Sequence, residues 1–456
     1  MAMCPCISRK WVGSKFPIDL SQESRPELMG GSPLRVLAIL SILIISAVPL
    51  QAADLSSGDP LVIDIIMIDR KIARGGSGQY RRLLADPSIS ILGVPQPGHY
   101  AIDHGMDPEN INRVMRIYMP RNFQHLLDNH DMILLRDSSC GNYQYPVIYF
   151  DPRWMSWFVD AVGEEGMPFA MWGGDASWGG GGPGGSGGEG SYKSWGETLL
   201  DPILPFEGLG GYNPPTAEFQ KPYFTDPDHP LARLPWEYSG PVELLNNVEP
   251  KQGANVIARA VAPGKDFTWI GWWMHGEGKV VGEAQVFGSK GTTNRMLNDW
   301  QWYQDFIIYL VYFNVDKPIP TDIVRAHHLR EEINTHLAKS SLLISLLEFV
   351  ERYGASTLGL YGDMDEIDAK EKEAEELFRQ DDYDGAEQIF EDIHTAWEEL
   401  NRDAIEAKER ALLWVYVIEW LTVSAASLIS GVILWAVMVR RRLYREIGVT
   451  RMSIEG

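Results

Sequence analysis

Between positions 59 and 320, short apolar runs alternate with amphipathic stretches at the spacing of strands and crossover helices. Leu61–Ile68, LVIDIIMI, is almost continuously apolar, as a strand covered on both faces of a sheet must be. Ile89–Val94 and Asp131–Leu135 (DMILL) read the same way, and Arg113–Tyr118 predicts a further short strand. Gln79–Ala85 and Asn122–Asn129 predict helices between them. In Pro152–Glu165, the residues Trp154, Trp157, Phe158 and Ala161 recur at helical spacing, and Pro168–Trp172 predicts the next strand. Such alternation indicates a parallel sheet with crossover helices. Further on, Gly253–Ala262, Asp266–Trp273 and Gly278–Phe287 predict strands. The last two are joined across His275–Gly276–Glu277–Gly278 into a hairpin expected on the sheet edge. Trp300–Asn314 predicts an apolar helix that closes the domain, and Pro318 and Pro320 end it.

From Thr321 the pattern becomes helical and acidic. Ile323–Tyr353, Asp365–Gln380 and Gly385–Arg410 predict three helices, with a break at Gly354–Gly362 and a turn at Asp381–Asp384. AEELFRQDDYDGAEQIF resembles one tetratricopeptide-type hairpin, although such repeats need neighbours to bury their faces. Residues 321–411 are therefore expected to be a stalk. Leu412–Val439 exceeds the roughly 20 apolar residues needed to cross a bilayer. Trp414, Tyr416, Trp420 and Trp435 lie toward its ends, where interfacial aromatics sit. Arg440, Arg441, Arg442 and Arg445 follow, so residues 440–456 are expected to be a cytoplasmic tail and the bulk of the chain extracytoplasmic. Glu419, near the outer edge of the span, is read as snorkelling into the interface. Leu34–Ala47 has the short apolar core of a secretory signal, so residues 1–53 are read as an N-terminal lead and signal segment; an uncleaved anchor is the alternative.

The 456 residues are 45% hydrophobic, enough for a sizeable core, and carry a net charge of −22. A chain this acidic argues against nucleic acid, whose phosphates need clustered Lys and Arg. The three cysteines, Cys4, Cys6 and Cys140, cannot make a disulfide framework.

Met167–Gly190, MPFAMWGGDASWGGGGPGGSGGEG, is where a candidate site would fall: a strand runs into a glycine turn at a sheet's carboxyl edge, where ligands and nucleophiles sit. Three readings stay open. Ser177 in Asp175–Ala176–Ser177–Trp178–Gly179 approximates a nucleophile elbow, with His99, His104, His229 and His275 as loose candidates for a base. Alternatively Asp69, Asp137 and Asp175, each just after a predicted strand, converge for acid–base chemistry or to hold a hard cation. In the third, Gly173, Gly174 and the dense tryptophans, Trp178 among them, form a pocket for a sugar or planar ligand without chemistry. Gly179–Gly190 is then a flap, or simply a tolerated insertion. No cofactor is expected and no metal site is assigned.

GGDASWGGG, SWGETLLDPILPFEG, HPLARLPW, GANVIARA, GEGKVVGEAQVFGS and WQWYQDFIIYLVYF, in that order, resemble the glutamine amidotransferase-like domain of the class I superfamily, near the trehalose-utilisation type proteins. The resemblance covers roughly 59–320 and implies a flavodoxin-like parallel sheet. Glutaminases of that class use a cysteine in a G-x-C-x-G elbow with a downstream His-x-Glu pair. Here Gly173–Gly174–Asp175 stands at the elbow, and His275–Gly276–Glu277 lies in a hairpin turn. The expectation is a non-catalytic domain for ligand or partner binding on a membrane anchor. The alternatives are a hydrolase or metal-assisted enzyme using Asp175 or Ser177, and a structural subunit whose stalk assembles with other membrane or envelope proteins.

Overall fold

The computed structural model describes residues 61–69, 78–96, 113, 115–138, 140–142, 150–174, 177–178, 192–212, 221–242, 244–262, 265–286, 295–353 and 356–452. Residues 1–53, expected to be a lead and signal segment, lie outside these residues, as do Asp175, His99, His104 and the glycine tract.

The central element is β1 (Ile63–Asp69), whose seven residues are all buried, so its continuous apolarity follows from cover on both faces. Helix α1 (Gly78–Leu83) leads to β2 (Ile89–Pro95), and α2 (Phe123–Asn129), capped by Asn122, leads to β3 (Met132–Arg136). After the short β4 (Gly141–Asn142), α3 (Pro152–Gly163) starts on an Asp151 cap and a proline in its first turn, then feeds β5 (Phe169–Trp172). β4 pairs with β6 (Tyr192–Lys193); β7 (Phe206–Tyr212) pairs with β9 (Asn246–Pro250), with β8 (Lys221–Phe224) between them in sequence. β10 (Asn255–Ala262), β11 (Lys265–His275) and β12 (Gly278–Glu283) complete the strands. The main sheet has eight strands in the order β2-β1-β3-β5-β12-β11-β10-β8. Its first five are parallel, and β11, β10 and β8 extend it antiparallel.

Two expectations are corrected. Residues 115–118 are helical, with Met119 N–H donating to Met115 O at 2.9 Å. Met115 and Met119 are buried four apart while Ile117 is exposed, so the helical period wins over strand alternation. The β11–β12 hairpin is not on the sheet edge. All six residues of β12 are buried between β5 and β11, and the edge belongs to β8. Pro222, which has no N–H to offer, blunts that edge against further pairing.

Helix α4 (Tyr303–Asn314), buried almost throughout, packs beside this sheet. Three long helices follow: α5 (Ile323–Glu351), α6 (Leu358–Arg379) and α7 (Tyr383–Met452). The turn between α6 and α7 places Asp381 at φ 62°, and Asp382 caps α7 by accepting from Gly385 N–H. α7 is continuous for 70 residues, and within it lies one segment long and apolar enough to cross a membrane.

The hydrophobic core of the α/β domain ends at Ile319, and a second core begins at Leu329 among α5, α6 and α7. A buried polar cluster joins them. Arg330 on α5 donates through Nε to Asp86 and through Nη1 to Asp305, both at 2.7 Å, with all three side chains at most 1% exposed. Tyr312 Oη donates to Asp86, Arg330 Nη1 also reaches Tyr309, and the guanidinium lies over the Tyr309 and Phe378 rings. His327 sits 2.6 Å from Asp305 and stacks on Trp302. Burial works against its charge, but the hydrogen bond and charge of Asp305 and the charge of Glu331 outweigh that and raise its pKa. Arg379 adds a bond to Pro87 O. Arg330→Leu leaves two buried carboxylates without their shared partner. The expected loss is about 3–5 kcal/mol of stability, measured by urea unfolding of the full chain in detergent; a change within error would show that the cluster does not hold the two cores together.

Candidate functional site

The carboxyl edge of the parallel sheet is built from four strand ends in one register row. Asp69 pairs with Arg136, Arg136 with Trp172, and Trp172 with Glu283. Neighbours in register project to the same face, so the row sets an acid, a base, an indole and a second acid side by side. All four are buried. Asp69 and Arg136 form an ion pair at 2.6 Å. Burial opposes the charge on Arg136, yet Asp69 and Asp137 beside it raise its pKa above the usual arginine value.

Asp69 and Asp137 therefore do converge, around Arg136. Asp137 follows β3 at φ 42°, an uncommon conformation for a residue with a side chain. Its N–H faces the carbonyls of Trp172 and Gly173 at 3.4 and 3.2 Å. The double glycine is a packing requirement. A Cβ on Gly174 would lie 2.1 Å from Asp137 Oδ1, and one on Gly173 would lie 2.2 Å from Gln285 O. Backbone threads between strand ends here, where no side chain fits.

Ser177 is fully buried, and its hydroxyl is engaged twice: Oγ accepts from Ser138 N–H at 3.3 Å and donates to Trp172 O at 3.2 Å. Among the described residues no histidine is hydrogen-bonded to it. Trp178 donates through Nε1 to Glu283 O and packs on Phe206, so it anchors the loop in the core instead of presenting a face. Trp172, Trp195 and Trp269 are equally buried. His275 lies at the amino end of β12, next to Gly163, across the length of that strand from Gly173. His229 accepts from Leu231 N–H and lies against Phe313. The Cys140 thiol is buried and directed at Ser194 O.

The sequence reading missed Arg136, Glu283 and Asn246. Asn246 Nδ2 ties Gly174 O to Ala284 O, at 3.0 and 3.1 Å. Glu283 accepts from Gln285 N–H, Trp269 Nε1 and Gly173 N–H at 2.8, 2.8 and 3.1 Å. Burial pushes its pKa up to about 8; the three donors and the Arg136 charge pull the other way and are outweighed. One signal for it was present: Glu283 and Gln285 interrupt the apolar run KVVGEAQVF. Among the described residues no three His, Cys, Asp or Glu side chains group as metal ligands. The edge is thus an interlocked polar floor, and its groups bond chiefly to one another.

No family model and no curated protein sequence matches this chain. Among solved structures, it is similar to a cytoplasmic protein of Salmonella typhimurium, STM3548, at 13% identity and a TM-score of 0.40, covering 56% of this chain and 99% of that one. A second Salmonella typhimurium LT2 cytoplasmic protein, STM1381, aligns at 16% identity and a TM-score of 0.39, covering 55% and 99%. A cold-adapted beta-galactosidase from Rahnella sp. R3 aligns at 13% identity and a TM-score of 0.30, covering 62% and 35%. Likenesses this slight carry no argument about activity.

Replacing Glu283 tests the floor directly. Glu283→Leu leaves three N–H donors without an acceptor, each costing about 1–3 kcal/mol. In the wild type, the stability from the neutral carboxyl is complete below pH 4.5, the ordinary value, and is lost as pH rises through about 8. The urea midpoint should fall over that window, and Glu283→Gln should remove that part of the fall. The same slope in both proteins would show that Glu283 is ionised in the fold.

Proposed function

We propose that this chain is a single-pass membrane protein displaying a non-catalytic, glutamine amidotransferase-like α/β domain outside the cytoplasm, where it binds a partner or a small ligand such as a sugar. The observation that carries this reading is the commitment of the edge groups to structure. The Ser177 hydroxyl is held by two backbone groups, Asp69 by Arg136, and Glu283 by three N–H donors. A hydrolase using Ser177 would have to break both of its bonds before reaching a substrate. Asp175, its companion in the enzymatic reading, lies outside the described residues.

Two further observations support the class. The five parallel strands, numbered among themselves, run 2-1-3-4-5, the order of flavodoxin-like sheets, whose ligands bind beyond the carboxyl ends of the strands. The position where the resembling glutaminases carry their cysteine holds Gly173–Gly174–Asp175, and both glycines are needed for close packing. Anchoring is supported by the unbroken passage of α7 into its apolar segment, with Arg440, Arg441, Arg442 and Arg445 directly after it.

A serine-reactive fluorophosphonate probe and a protease test the reading together. Wild type and Ser177→Ala should be labelled equally; loss of labelling in the variant would restore the hydrolase. Protease added outside intact cells should digest residues 59–410 and spare the tail, and full protection of that region would reverse the topology.

A further inference from the structure

The three long helices are held in a common register that sets a height scale. His336 on α5 contacts Glu371 on α6 at 3.1 Å and accepts from Trp397 Nε1 on α7, so these three residues share one level. Arg325 on α5 pairs with Asp384 and Glu387 on α7, which repeats the offset between α5 and α7 eleven residues earlier. The two helices therefore run side by side without slipping. Leu343, Leu347, Leu400 and Ala404 are all buried in the core that these helices share.

Counting along these helices at 1.5 Å per residue locates the hairpin tip. From Trp397 to Leu412, where the apolar segment begins, is fifteen residues, about 22 Å. From His336 to Phe349 is about 20 Å and to Tyr353 about 26 Å; from Glu371 back to Leu358 is about 20 Å. A Thr357–Glu351 hydrogen bond ties the start of α6 to the end of α5. Tyr353 thus stands level with Trp414, and Phe349 and Leu358 stand about 3 Å short of Leu412. Phe349, Tyr353 and Leu358 are exposed by 38, 44 and 83%, and Phe349 and Tyr353 are in ring contact. An aromatic pair and a leucine at this height match the composition of an interfacial belt.

We infer that the α5–α6 tip is a second membrane contact, lodged in the zwitterionic headgroup layer beside the point where α7 enters the bilayer. This rests on the reading that α7 spans. Chemistry and height both favour lipid as the occupant, because the tip continues the aromatic girdle of α7 at the same level. Charge favours neutral lipid, since Glu348 and Glu351 outnumber Arg352 at the tip and leave it net negative against an anionic surface. The stalk then meets the membrane at two points, and its tilt about α7 is restricted.

The experiment uses the full chain in phosphatidylcholine vesicles, with Cys4 and Cys6 replaced by serine and Cys140 by alanine. Single cysteines at Leu342, Tyr353, Leu358 or Leu428 carry a bimane probe. Leu342 is an internal control, apolar and 73% exposed but about 13 Å short of the Leu412 level. Bimane at 353 and 358 should lose most of its fluorescence to bromolipid and little to aqueous iodide, and at 342 the reverse. Bimane at 428 should respond to bromolipid alone. If 353 and 358 behave like 342 while 428 is quenched by lipid, the tip contact is wrong and the span stands. If 428 is not quenched by lipid, the spanning reading fails and the tip contact with it. Shielding of 353 and 358 from both quenchers would assign the tip to a protein surface and overturn the lipid contact.

Discussion

Arg330 is the residue on which the architecture turns. Each hydrophobic core is complete without the other, one closed around the sheet and the other among α5, α6 and α7. Their joint centres on one guanidinium shared between Asp86, in the turn before β2, and Asp305, on the helix that closes the sheet. Two carboxylates against one arginine leave a negative excess, which His327 balances when protonated. A buried ion cluster of this kind adds little net stability but tolerates little misalignment, because each charge is costly without its partners. Its role is to fix where α5 leaves the domain. From there, helix geometry carries the orientation down to α7.

The carboxyl edge follows the same logic on a smaller scale. The strand ends present groups bonded to one another, with an ion pair at one end of the row and a carboxyl whose pKa burial raises at the other. The glycines that would let a nucleophile turn outward serve to bring Asp137 and Gln285 close to the backbone. Binding above such a floor calls for shape and hydrogen bonding more than for reactivity. A domain that binds while resting on two points of membrane contact would hold its carboxyl edge at a defined distance from the bilayer.

Much of this was legible in the order of residues. β1, β3 and β5 were visible because a strand covered on both faces has no polar alternation to obscure it. The acidic helices and the apolar end of α7 were visible from period and length, and the elbow from the abrupt stop of FAMW at Gly173. Residues 115–118 misled because six residues with apolar positions at Val114, Met115 and Ile117 fit a strand as well as a helix, and local pattern cannot rank the two. The hairpin was misplaced because a hairpin reads alike at an edge or inside a sheet.

Pairings between residues far apart in the chain were beyond the reach of sequence. Asp69 and Arg136 are 67 positions apart, Gly173 and Glu283 110, Asp86 and Arg330 244. Each charge read alone suggests a surface or a catalytic group; its burial and its partner emerge only when strands and helices are stacked. Hydrophobic periodicity is a local property, written every two or four residues, so the chain order set the elements and the long apolar segment of α7. Charge compensation in the interior depends on distances that the packed layers impose, and those distances turned Asp69 and Ser177 from candidate reagents into parts of the frame.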